Sequence, residues 1–390
     1  MDKPFNCIFI GCFLYPHGYA ATRRKQQFID YIIKRGGSVR VLLTLKRANG
    51  HELNDEKGEY RGIFYEVVGA KLKPNIFFPI TFLHFILVFC RRLLQFKHPN
   101  RKNIIVAFGI NWDTMIPLLF AKFIGYHIVF DIVEDFSTLK PRKNPKPLIQ
   151  HWIRATLPAL FEGFLADGIS VISDHIYLKH RHLKVPLTVV PISADNLNRV
   201  IVKKKINPEY TFLYSGTFGE KEGLETLFTA FNEINKRLPD TRLVLTGQCP
   251  EHLKKTLLEL IDNSRSVWFT GRLNDELYYE QLLVADVMMM TRTNSAFANA
   301  GFPYKLGEYL ATANPVICTQ VSDIENYLRD MENALLIEPD NVNALINAMQ
   351  FCYDQPEKSK EIGRNGRKVC ETHFNPEINS RRFYDLLQVC

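Results

Sequence analysis

Lys305 and Glu308 lie three residues apart in Gly301–Thr319, a stretch that reads as a loop, a short helix, a turn and a buried strand. Residues at i and i+3 share a helix face. A helix N-terminus offers unpaired backbone N–H groups and a partial positive charge, both suited to phosphate. Lys305 would add a full charge there, and Glu308 an acceptor for sugar hydroxyls. The plainer alternative is a surface Lys–Glu pair on a routine helix start. A second stretch, Tyr214–Gly223, runs Y-S-G-T-F-G-E-K-E-G between an apolar strand and an amphipathic helix. Gly216 and Gly219 are expected to permit close backbone approach and unusual dihedrals, and Lys221 to reach an anion at the helix start. Arg292, at the end of the strand Asp286–Met290, is a further cation. A glycine turn alone says little, because a strand-to-helix turn of this kind recurs in many sheets.

Two more stretches lie in the first half. Gly11–Arg24 contains Gly18 and Ala20, small enough to let a loop approach a ligand, with His17 and Arg23 beside them. Thr22 is expected to cap the following helix. The run lacks G-x-G-x-x-G spacing, which argues against a nicotinamide or flavin enzyme. Asp131–Ser137, D-I-V-E-D-F-S, follows a buried strand. Glu134 and Asp135 are candidates for activating an acceptor hydroxyl, with loop capping as the alternative reading.

The elements that must position these residues alternate between short apolar strands and helical patterns. Strands are expected at Asn6–Phe13, Ser38–Leu45, Ile63–Val68, Asn103–Phe108, His127–Ile132, Gly168–Ile172 and Thr188–Pro191. A polar, basic stretch from Pro191 to Pro208 breaks the pattern. The alternation resumes with Thr211–Ser215, Arg242–Thr246, Val267–Thr270, Asp286–Met290, Pro315–Thr319 and Ala334–Ile337. Continuous apolar strands between helices indicate parallel sheets covered on both faces. The class is α/β, with domains expected at 1–195 and 206–370, and 371–390 forming a terminal helix that crosses back to the first. Ligands of such sheets bind beyond the carboxyl ends of the strands.

The 390 residues carry a net charge of +8, which favours anionic partners. The eight cysteines form no C-x-x-C pair, pointing to a reduced, cytoplasmic setting. No secretory leader is evident, and Ile76–Cys90 is too short to span a bilayer. Neither a D-x-D motif nor a cluster of metal ligands is present, so metal-independent chemistry without a cofactor is expected. The basic residues form no nucleic-acid module.

Gly301–Thr319 resembles the signature of family 4 glycosyltransferases in its P-x-K-x-x-E-Y-L-A-x-G-x-P-V form. Pro303, Lys305, Glu308, Tyr309, Leu310, Ala311, Pro315 and Val316 match, whereas Ala313 stands where glycine is usual. The resemblance implies a GT-B architecture: two Rossmann-like, doubly wound domains with a central cleft. It implies retaining transfer of a sugar from a nucleotide-sugar donor to a glycan or lipid-linked saccharide, in surface polysaccharide synthesis. Glu308 would bind the donor ribose. Tyr214–Gly223 resembles the diphosphate-binding turn, with Thr217 where arginine is usual and Glu222 where lysine is usual. Gly216, Thr217, Lys221 and Arg292 would then surround the diphosphate, Arg272 would lie near the base, and Gly18 would face donor or acceptor. Ala300 stands where many members have a glutamate near the donor sugar. Backbone N–H groups of Asn299–Phe302, Gly301 among them, are the expected substitute. A front-face mechanism is implied, in which the leaving phosphate helps to deprotonate the acceptor. An epimerase of the same fold and a non-catalytic sugar-nucleotide-binding protein are the competing readings.

Pro74–Lys102 combines phenylalanines with flanking lysines and arginines. It reads either as a helix packed on the first sheet or as one lying on an anionic membrane surface.

Overall fold

The computed structural model describes residues 4–18, 20–44, 55–69, 78–110, 113–135, 157–199 and 208–390. It divides into two units, the first comprising 1–190 with 377–390 and the second 191–376. The division falls at Val190/Pro191, at the start of the polar stretch. Ile192, Ala194 and Leu197 are buried, and the Ala194 N–H donates to the Phe374 carbonyl at 2.8 Å. These apolar residues therefore belong to the second unit and are not a solvated linker.

The first unit holds an eight-stranded sheet in the order β3-β4-β2-β1-β5-β6-β7-β8. Its strands are β1 (Asn6–Gly11), β2 (Ser38–Leu43), β3 (Lys57–Tyr60), β4 (Ile63–Val67), β5 (Asn103–Ala107), β6 (His127–Ile132), β7 (Gly168–Val171) and β8 (Leu187–Val189). Every residue of β1 and β5 is buried, as a strand covered on both faces requires. All neighbouring pairs are parallel except β3–β4. Helices α1 (Ala20–Lys34), α2 (Phe78–Phe96), α3 (Met115–Phe123) and α4 (Leu157–Leu165) precede the domain division.

The second unit holds a six-stranded parallel sheet, β11-β10-β9-β12-β13-β14. Its strands are β9 (Tyr210–Ser215), β10 (Thr241–Thr246), β11 (Val267–Gly271), β12 (Val287–Met290), β13 (Val316–Thr319) and β14 (Leu335–Ile337). Helix α5 (Leu224–Arg237) follows β9, α6 (Tyr304–Ala311) precedes β13, and α7 (Pro376–Val389) ends the chain. Phe383 of α7 stacks on Phe28 of α1 with ring centroids 4.1 Å apart, and Tyr384 packs on Phe5 and Tyr31. These contacts place the last helix in the core of the first unit. Both units are Rossmann-like, and each sheet reverses strand order once, between β1 and β5 and between β9 and β12.

Candidate functional site

The reversal between β9 and β12 is where a doubly wound sheet leaves a crevice beyond its strand ends. Two chain segments leave the sheet there. After β9 comes the glycine turn, with one 3-10 turn at Glu220–Glu222 and then α5. After β12 come Thr291 and Arg292. Gly216 has φ 142°, and a Cβ on it would lie 3.0 Å from the Lys305 Nζ. Gly223 has φ 62°, and a Cβ there would meet the Thr291 carbonyl oxygen at 1.7 Å. Only glycine fits either position. Gly219, expected to share that role, has an ordinary φ of −93° and open space around it.

Helix α6 brings Lys305 to the same place. Its Nζ is ion-paired with Glu222 and stands 4.1 Å from the centre of the Tyr214 ring. Arg292 Nη2 lies 3.8 Å from the other Glu222 oxygen, and its buried Nε makes no hydrogen bond among the described residues. The Tyr214 hydroxyl reaches the Thr217 carbonyl and, at 3.2 Å, Glu222 Oε2. Burial works to raise the Glu222 carboxyl, but Lys305 and then Arg292 outweigh it and hold the group below its ordinary range. Burial also draws the Lys305 ammonium down, although Glu222 opposes that pull. The result is a buried cluster of two cations and one carboxylate at the end of the central strand.

One turn along α6, Glu308 is buried and its Oε2 accepts from the Tyr278 hydroxyl at 2.8 Å. Lys305 and Glu308 are therefore not a surface pair, since each faces its own interior partner. Tyr309 anchors the helix to β9. Its hydroxyl accepts from the Ser215 N–H at 2.7 Å and from Ser215 Oγ at 3.0 Å. The match of P-x-K-x-x-E-Y thus corresponds to one helix face pinned on the carboxyl end of one strand.

The other donor-site candidates in this unit are more dispersed. Thr217 is exposed beside the turn. Lys221 places its Nζ over the Phe297 ring at 4.3 Å, and its carbonyl accepts from Thr293 N–H at 3.0 Å. Arg272 is exposed just past β11. Gly301 follows the short helix Ala296–Ala300, and its φ of −117° makes no demand for glycine. Phe302 turns its ring into the core against Tyr327 and Phe374, with centroids 5.4 and 5.7 Å away, which leaves only its backbone as a candidate contact.

In the first unit the expected acidic site is largely internal. Asp131 is buried and takes Arg24 in a two-pronged pair, Nε to Oδ2 at 3.1 Å and Nη2 to Oδ1 at 3.0 Å, with Ser170 Oγ at 3.1 Å. It does not project beyond the sheet. Asp135 is buried with both oxygens on Lys179 Nζ, at 2.8 and 2.7 Å. That pairing stabilises the ionised carboxylate and makes it a weaker base. Glu134 is half-buried next to it, while Ser137 lies outside the described residues. Thr22 does not cap α1; its hydroxyl donates to the Leu14 carbonyl, and a Cβ on Gly18 would lie 2.1 Å from that hydroxyl. Gly18 is therefore required for the fold of the loop itself.

Glu222, Tyr214 and Tyr278 were not singled out by sequence reasoning as partners of the cluster. The one available signal was a carboxylate at the turn position where lysine is usual.

Residues 198–369 match the family model described as glycosyl transferases group 1. That match lies within the second unit. EpsD of Bacillus subtilis, a glycosyltransferase by name, is 26% identical over 181 residues, 46% of each chain. The O-antigen chain mannosyltransferase C of Escherichia coli is 24% identical over 274 residues, 65% of this chain and 71% of the relative. The first of these alignments spans less than half the relative's own length. Among solved structures, sucrose-phosphate synthase from Thermosynechococcus elongatus superposes with a TM-score of 0.74 at 17% identity, over 98% of both chains. HepE of Anabaena, solved with UDP-glucose, superposes with a TM-score of 0.71 at 13% identity, over 98% of this chain and 100% of that one. The fold is GT-B.

Proposed function

We propose that the chain is a retaining glycosyltransferase that moves a sugar from a nucleotide-sugar to a glycan or lipid-linked saccharide in surface polysaccharide synthesis. The observation that carries the reading is the convergence of Lys305, Arg292 and the Gly216 turn on the carboxyl end of β9, in the domain that matches the group 1 model. Lys305 and Arg292 would hold the diphosphate and stabilise it as it leaves. Glu308, fixed by Tyr278, would accept from the ribose hydroxyls. Lys179 pairs with Asp135, which favours the departing phosphate over that carboxylate in deprotonating the acceptor. Diphosphate binding by side chains and backbone would dispense with a metal ion.

The donor reading is tested by thermal shift with UDP, GDP, ADP and their common sugars, on wild type, Glu308→Ala and Glu308→Gln. One nucleotide should raise the melting point of the wild type, because a ligand that binds only the folded state stabilises it. The shift should shrink in both variants. No shift with any nucleotide would refute the donor site. Donor consumption that requires an acceptor separates transfer from epimerisation.

The lipid-linked acceptor is favoured by the outer face of the first unit. Helix α2 buries Phe85, Phe89 and Leu93 but exposes Ile80, Leu83, Leu87 and Leu94 along the opposite stripe. It packs on α3, and α3 on α4, which expose Phe123 (89%), Leu160 and Phe164. Arg91 and Lys97 are exposed at the same end of α2. Lys73 and Phe77 of the apolar stretch lie outside the described residues. Among the described residues no helix is long and apolar enough to cross a membrane. Such a face suits lying on an anionic bilayer. Flotation with phosphatidylglycerol vesicles should carry the wild type and not the Leu83→Glu/Leu87→Glu variant. Equal flotation of the two, or none of the wild type, would refute this part.

A further inference from the structure

The site contains one group whose sign is wrong for binding phosphate. Glu222 stands among Lys305, Arg292 and Tyr214, with its side chain almost wholly buried. Its carboxylate is held by Lys305, Arg292 and the Tyr214 hydroxyl, and its backbone by the turn. Its N–H donates to the Gly219 carbonyl at 3.0 Å, and its own carbonyl accepts from Thr291 Oγ1 at 3.0 Å. The next residue, Gly223, sits against the Thr291 backbone with no room for a Cβ. A diphosphate that reaches Lys305 therefore meets a carboxylate already paired with that lysine.

We propose that Glu222 is a resident counter-anion that weakens the site's hold on the released nucleoside diphosphate relative to the nucleotide-sugar. The proposal rests on the donor-site reading above. In a nucleotide-sugar the distal phosphate is esterified and carries a single charge. Once the sugar has left, that phosphate is a monoester whose second ionisation has a pKa of about 6, so the product gains a further negative charge at neutral pH. A site built of cations alone would hold product more tightly than donor. A buried carboxylate paired with Lys305 opposes that added charge. At an effective dielectric constant of about 20, a unit charge roughly 6–8 Å away changes affinity about thirtyfold to a hundredfold. Before a donor arrives, the same carboxylate holds Lys305 and Arg292 in position, so two buried cations need not face each other unpaired.

The test is calorimetric titration of wild type, Glu222→Gln and Glu222→Asp with UDP and UDP-glucose, GDP and GDP-mannose, and ADP and ADP-glucose. Melting points report whether each variant folds. Glu222→Gln should bind the diphosphate at least about tenfold tighter than wild type, with a smaller gain for the matching nucleotide-sugar. Glu222→Asp, which keeps the charge, should retain the wild-type ratio. A carboxylate with a merely structural role would give weaker binding of both ligands in Glu222→Gln. That result, or no change, overturns the proposal while leaving the donor site standing, because the wild type would still bind. Failure of the wild type to bind any of the six overturns both. Should Glu222→Gln not fold, the wild type decides alone. It is expected to bind the diphosphate no tighter than the nucleotide-sugar, and a preference for the diphosphate above about tenfold would sink the idea.

Discussion

Replacing Lys25 by methionine should make the protein more stable at neutral pH. Lys25 lies on α1, is 1% exposed, and its Nζ makes no hydrogen bond among the described residues. It stands 3.8 Å from the centre of the Phe108 ring and 4.8 Å from that of Phe13. Burial draws its pKa from 10.5 to about 8, with Asp131 opposing and Arg24 adding to the fall. That difference corresponds to about 3 kcal/mol held against the charged form. Below pH 8 the residue is charged in both folded and unfolded chains, and the cost is present in full. As pH climbs from about 8 toward 10.5, the folded chain has released the proton while the unfolded chain still binds it, so the cost fades. Methionine keeps the length and the ring contacts without the charge. Urea denaturation at pH 7 should show Lys25→Met about 2–3 kcal/mol more stable than wild type. The gap should close as the series is repeated up to pH 10.5. A variant less stable than wild type at pH 7, or a gap that does not change with pH, would refute the reasoning.

Arg24→Ala strands the buried Asp131 carboxylate and should cost about 3–5 kcal/mol in the same denaturation assay. Because Arg24 and Lys25 outweigh burial and hold Asp131 below its ordinary pKa, its contribution is present above the ordinary value of 3.8 and is lost as pH falls through the depressed one. Acid titration of Arg24→Ala should therefore lack part of the wild-type loss of stability at low pH. Gly223→Ala forces a methyl into the Thr291 carbonyl at a positive φ, and should lower the melting point and abolish nucleotide-dependent stabilisation together. Phe302→Ala empties a core position beside Tyr327 and Phe374, and should cost about 3–5 kcal/mol. The folded fraction should still respond to nucleotide, since the ring does not face the donor cluster.

The parallel strands were legible because burial on both faces writes them as unbroken apolar runs, such as Asn6–Gly11 and Tyr210–Ser215. β3 was not, because Lys57–Tyr60 is an edge strand with charged and exposed residues. What makes it a strand is the hairpin turn at Arg61 and Gly62, both at positive φ, which pairs it with β4. The Lys305 face was legible through local spacing on one helix. Its counter-anion was not, since Glu222 is 83 residues away and only the β9–β12 crevice brings the two together. The same holds for Asp131 with Arg24, 107 apart, and Asp135 with Lys179, 44 apart. A carboxylate at a strand end looks reactive in sequence until its distant cation is known. The role of the stretch after Pro191 was hidden for a related reason. Pro191–Leu197 looks like a linker until the burial of Ile192, Ala194 and Leu197 is seen.

The return of Glu377–Cys390 to the first unit has a consequence for synthesis on the ribosome. The nascent first unit would emerge with Phe28 and Tyr31 of α1 lacking the aromatic partners that cover them in the finished protein. The second unit has all of its strands before that cover is translated. The order of completion is thus the reverse of the order of translation. An early apolar face stays open until α7 has been made.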